Sequence, residues 1–171
     1  MKPKLYTLLI GLLFFSCDSN EKKVEVDISK HEGLVTLETD YPFTTLYSSG
    51  KTDQAEKQSY LVNEAYEFLS EIMGAKENFY LLVVAKEDWE KNAYSPVVGL
   101  PEYYKGNIIV GAGKPYIAMD YEDMIRSLPE EMTKDLIQAY TNDSGELDMS
   151  LYFNKLSIHE LTHNFQDPKN M

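Results

Sequence analysis

The stretch Leu156-Ser157-Ile158-His159-Glu160-Leu161-Thr162-His163-Asn164-Phe165 places the tightest demand on the fold. The chain has 171 residues and three histidines, and two of them fall here, four positions apart. A helix turning about 100° per residue sets His159 and His163 about 40° apart around the axis and about 6 Å apart along it. That spacing, H-E-x-x-H, brings two imidazoles to one metal ion and is the pattern of a zinc site with a general base between its ligands. Glu160 lies about 60° round from His163, beside the ion rather than on it. A carboxylate there can take a proton from activated water without becoming a ligand. On the same wheel Leu151, Ile158, Leu161 and Phe165 gather roughly 135° from the histidines, while Tyr152 and Leu156 share the histidine side. The fold must therefore give this helix a dry wall behind and an open cleft in front. Asp148, an acceptable N-cap for Met149 onward, sets the expected start of the helix.

The upstream chain supplies material for that wall. Thr52 or Asp53 can cap a helix over 53–73, with Glu56 in its first turn and Gly74 as a stop. Leu61, Ala65, Phe68 and Ile72 recur at spacings of three and four, with Tyr60 and Leu69 broadening the stripe. The run Phe79–Ala85 is continuously apolar and reads as a buried strand, and Leu34–Thr39 is β-branched and partly alternating. A further short strand is expected over Asn107–Ala112, where Gly111 and Gly113 break the run. Between them Lys86–Glu90 predicts one helical turn that docks Trp89, and Pro96–Gly106 reads as loop. Two short helices are expected at 120–127 and 130–140, separated by Pro129, with a turn over Asn142–Gly145. The fold class is α+β: a small mixed β-sheet packed with helices, the motif helix at its C-terminal end.

The first 16 residues have a different character. Lys2 and Lys4 precede an apolar run from Leu5 to Phe15 that is too short to span a bilayer. It ends at Ser16-Cys17, followed by polar Asp18 to Lys23. This layout resembles a bacterial lipoprotein signal, which implies cleavage before Cys17, a lipid on Cys17, and an exported protein anchored to a membrane of the cell envelope or surface. Such cleavage removes two lysines and no acid, so the formal charge of −12 becomes −14. Cys17 is the one cysteine, so no intramolecular disulfide forms. Residues 17–32 read as a tether, and His31 within it as a solvated loop histidine. The acidic balance and the absence of a basic patch interleaved with aromatics exclude a nucleic-acid footprint.

From Gly33 onward, the order of elements and His159-Glu160-Leu161-Thr162-His163 resemble the catalytic half of a zincin metallopeptidase, nearest its thermolysin-like gluzincin branch. The resemblance implies that His159 and His163 ligate Zn2+ and that Glu160 polarises the attacking water for peptide-bond hydrolysis. It also implies that Asn107, Ile108, Ile109 and Val110 belong to the edge strand on which a peptide or protein substrate is laid out. The third ligand departs from the family. A gluzincin glutamate would lie on a later helix, and the alternative extended motif has Gln166 in place of its glycine and Lys169 in place of its last histidine. Asp167 is about 12 Å along the axis from His159, too far for the same ion. Domain 33–171 is therefore expected to be a zincin-like half, incomplete at its C-terminus. The alternative is a non-catalytic surface or periplasmic lipoprotein with a degenerate domain of this kind.

Overall fold

The computed structural model describes residues 29–74 and 79–166. Residues 1–16, Cys17, most of the expected tether, and Asp167, Lys169 and Met171 lie outside them. Among the described residues five strands form one mixed sheet: β1 (Val35–Leu37), β2 (Thr44–Tyr47), β3 (Tyr80–Val84), β4 (Glu102–Tyr104) and β5 (Asn107–Gly111), in the spatial order β1-β2-β3-β5-β4. The central strands β2, β3 and β5 run parallel, and the outer strands β1 and β4 are antiparallel to their neighbours. Parallel neighbours need a crossover, which α1 (Thr52–Met73) supplies between β2 and β3. The mixed sheet with packed helices agrees with the expected α+β class.

Alternation along the central strands sorts the core into two faces. Leu81, Val83, Ile108 and Val110 meet α1 and α6 (Leu156–Gln166) on one side. Leu82, Val84 and Ile109 meet Trp89 and Ala93, at the two ends of α2 (Trp89–Asn92), on the other. An aromatic chain ties the first face together. The rings of Phe43 and Phe79 lie 4.9 Å apart, Phe79 and Tyr66 5.9 Å, and Tyr66 and Phe165 5.6 Å, so the residues just before β2 and β3 share one seam with α1 and α6.

Helix α1 turns inward a face that shares only part of its predicted apolar stripe: Ala65 and Leu69 pack against the core. Ala55, Gln58, Ser59, Val62, Asn63 and Tyr66 are buried, whereas Phe68 and Ile72 are 62% and 67% exposed. Small or hydrogen-bonded residues occupy the contact face. Ser59 shares a hydrogen bond with Thr45 at 2.9 Å, and the Asn63 amide donates to Glu67 at 2.8 Å. Once paired, such polar groups bury at little cost, and close approach to the sheet decides the phase.

A second, smaller core forms where α3 (Tyr116–Ser127), α4 (Glu130–Ala139) and α5 (Ser150–Asn154) meet. Ala118, Ile125, Leu147, Met149 and Phe153 fill it. Its polar pin is Glu122, buried, which accepts the Met149 N–H at 2.8 Å and pairs with Lys114 at 2.6 Å. Asp148 accepts the Ser150 N–H at 2.9 Å and so lies just before α5, not at the start of the motif helix. The expected single helix from Met149 is thus two, parted at Lys155. The Ser157 hydroxyl donates to the Asn154 carbonyl at 2.9 Å, a side-chain bond that competes with the helical ladder at the break. No helix among the described residues is long and apolar enough to cross a membrane.

Upstream of β1, Ser29–His31 form a 3-10 turn, and His31 is 4% exposed rather than solvated. Its Nδ1 lies 3.3 Å from Asn92 Oδ1 and its Nε2 3.2 Å from Asn107 Nδ2. The ring links the end of α2 to the start of β5, partners that sequence spacing does not reveal.

Candidate metal centre

Leu161 and Phe165 are fully buried against α1 and the sheet, which fixes α6 in rotation and in height. Burial of two such side chains stabilises the docking by about 1.5–3 kcal/mol each. The opposite flank carries the motif. His159 is exposed, and Glu160 and His163 are half-buried. The two imidazole centroids lie 4.9 Å apart with ring planes at 89°. Among the described residues neither ring takes a hydrogen bond.

The wall facing this flank is β4. The Tyr103 ring lies 5.9 Å from that of His163 at 32°. The Tyr103 backbone N–H donates to the Glu160 carboxylate. Burial pushes the Glu160 carboxyl above its ordinary range; His159 and His163 pull it back, Glu102 adds to the rise, and the Tyr103 N–H opposes it. A carboxylate of raised pKa is better matched to accepting a proton near neutrality. Thr162 turns its hydroxyl to the His159 carbonyl at 2.7 Å and so belongs to the helix backbone, not to the site.

The donor set fits zinc in part. Two imidazoles stand one turn apart on one flank, as a zinc site requires of an H-x-x-x-H pair. No group of three His, Cys, Asp or Glu able to hold a metal occurs among the described residues. Glu102, the acid of the facing strand, is occupied: its carboxylate accepts the Tyr94 N–H at 2.6 Å and the Ser95 N–H at 2.7 Å.

No protein-family model matches the chain, and neither curated proteins nor solved structures give a match. The site therefore stands on its own geometry.

The residues expected to form a substrate edge lie elsewhere. Asn107, Ile108, Ile109 and Val110 belong to β5, which pairs with β3 on one side and β4 on the other. All four are at most 2% exposed. The free edge on that side of the sheet is β4, within a segment that reads as loop from sequence. The signal that could have found it is Lys105-Gly106. Tyr104 pairs directly with Asn107, so these two residues form the whole turn, with φ of 49° and 78°. Positive φ at both positions is the hairpin turn whose twist matches its strands.

Proposed function

We propose that the chain is a zincin-like metallohydrolase domain in which His159 and His163 hold Zn2+ and Glu160 accepts a proton from the attacking water. The observation that carries the reading is the juxtaposition on α6. Two imidazoles that take no hydrogen bond among the described residues flank a half-buried carboxylate whose pKa burial has raised. Zinc held there would supply Lewis acidity toward a carbonyl oxygen and acidify water. A third protein ligand must come from outside the described residues.

The substrate reading is an extended peptide laid against the outer edge of β4, where it would displace Glu160 from the Tyr103 N–H. A lipid on Cys17 would hold the domain at a membrane of the cell envelope.

Equilibrium zinc titration of the wild type against His159→Ala and His163→Ala tests the metal half. Each variant should bind at least about tenfold more weakly, the scale on which even outer-shell changes weaken metal sites. Equal affinity in all three would remove the metal reading.

The absence of a third ligand among the described residues favours a second reading, a non-catalytic lipoprotein of zincin-like form. Glu160→Gln separates the two. It abolishes peptide hydrolysis under the first reading and leaves any biological effect intact under the second.

A further inference from the structure

Beyond the C-terminal ends of the parallel strands β3 and β5 lies a second feature, outside the motif flank. A cavity of about 130 Å³ is lined by residues that include Lys51, Lys86, Lys114, Gly99, Gly111 and Gly113. The whole chain carries 28 acids against 16 lysines and arginines. Three of those bases nonetheless converge on this one small space, with Glu87 the single acid on its wall among the described residues.

The three ammonium groups are not equivalent. Lys114 is paired with Glu122 at 2.6 Å and Asp148 at 3.5 Å, which fixes one wall to the α3–α5 core. Lys86 lies over the Tyr116 ring, 4.8 Å from its centroid. Lys51 has neither an ion pair nor a side-chain hydrogen bond among the described residues. Two of the three cations are therefore available to an outside anion.

Part of the wall is bare backbone, and the sequence is specific about it. A Cβ on Gly111 would come within 2.8 Å of the Gly99 Cα, and Gly99 itself sits at φ +80° with Pro115 3.0 Å from its would-be Cβ. No side chain fits where these loops meet. Backbone without side chains lets main-chain polar groups approach a ligand closely. The ends of parallel strands are also where diverging loops open a crevice in such sheets.

From the cavity, the lysines and the glycine walls together, we propose that this site binds a small tetrahedral oxyanion of the phosphate type. Liquid water occupies about 30 Å³ per molecule, so the space has room for several waters or one five-heavy-atom oxyanion. The phosphate can be free, or the terminal group of a molecule that stays outside, such as a lipid headgroup.

The test uses the full chain at constant ionic strength, with chloride replaced stepwise by inorganic phosphate. Thermal unfolding and 31P line broadening report binding. Saturable stabilisation is expected, weakened at least about tenfold by Lys51→Gln combined with Lys86→Gln. Lys57→Gln, an exposed lysine of α1 outside the cavity, should bind as the wild type does. A second arm compares vesicles of phosphatidylcholine with and without phosphatidic acid. Lysine-dependent binding to the acidic vesicles alone would assign the phosphate to a headgroup. No saturable effect in either arm, or equal binding by the double variant, overturns the proposal. The double variant keeps Lys114 and its ion pairs, so loss of binding with an unchanged melting temperature in chloride cannot be ascribed to misfolding.

Discussion

His31 and the pair His159/His163 are the same residue type put to opposite uses. His31 is buried with both ring nitrogens matched to side-chain amides of Asn92 and Asn107. With Nδ1 donating to Asn92 Oδ1 and Nε2 accepting from Asn107 Nδ2, the neutral ring satisfies both partners at once. His159 and His163 stand on the outer flank of α6 and make ring contacts but no hydrogen bond among the described residues. A nitrogen the fold has already used is not available to a ligand. An imidazole that the fold leaves unbonded contributes little to stability and keeps its chemistry. The contrast separates a histidine that builds the domain from two that the domain presents.

Stability measurements of single variants should widen that contrast most. His31→Ala removes a buried ring and takes a partner from Asn92 Oδ1 and Asn107 Nδ2, at a cost of about 2–4 kcal/mol in denaturant unfolding. His159→Ala and His163→Ala should stay within about 0.5 kcal/mol of the wild type in the presence of a chelator. The order reverses for zinc, which His31→Ala should leave untouched. A large stability loss in His163→Ala would mean that the ring against Tyr103 is part of the core after all.

The hairpin that joins the two histidine regions gives the next effect. β5 carries Asn107 at its start, and β4 carries the Tyr103 that faces His163. Gly106→Ala forces a side chain into the left-handed region at φ 78°, a cost of about 1–2 kcal/mol. Faster hydrogen exchange at the Tyr103 and Tyr104 amides should accompany it, with the His31 end less affected.

What could be read from sequence divides along the same line. The motif flank was legible because its spacing is local: four residues set His159 over His163, and Leu161 and Phe165 fall in phase behind them. The run Phe79–Ala85 and the break at Pro129 were legible for the same reason. β2 and β4 were not, since strands of three or four residues carry little periodicity and neither alternates apolar with polar as Val35–Leu37 of β1 does. The stripe of α1 misled because its buried face holds Gln58 together with Ser59 and Asn63, whose partners Thr45 and Glu67 the sequence does not mark. His31 was opaque because Asn92 and Asn107 lie 61 and 76 positions away.

Acid should act on the segment leading into α5 and α6, which is held by Asp148 and Lys114. Burial alone would raise the Asp148 pKa, but the Ser150 side chain and backbone N–H together with Lys114 outweigh it and leave it below 3.8. A depressed carboxyl pKa adds stability that is present above the unfolded value and is lost as pH falls through the folded one. Unfolding free energy should therefore fall below about pH 4, and Asp148→Asn should flatten that limb. The partly exposed pair limits the effect to under about 1 kcal/mol. An unchanged acid limb in the variant would shift the acid sensitivity to other carboxylates.

The smallest expected effect has the opposite sign. Glu160 keeps a carboxylate half-buried between α6 and β4, where burial disfavours its charge and Glu102 adds to the penalty. Replacing it with Gln keeps the shape and an acceptor oxygen for the Tyr103 N–H while removing the desolvated charge. Metal-free Glu160→Gln should therefore be more stable than the wild type near neutral pH, by a few tenths of a kcal/mol given the partial exposure. A residue whose removal stabilises the fold is held in place by something other than folding. A destabilised Glu160→Gln would instead make Glu160 a strut for the β4 edge, on the same footing as His31, and the distinction between the two regions would narrow to the histidines alone.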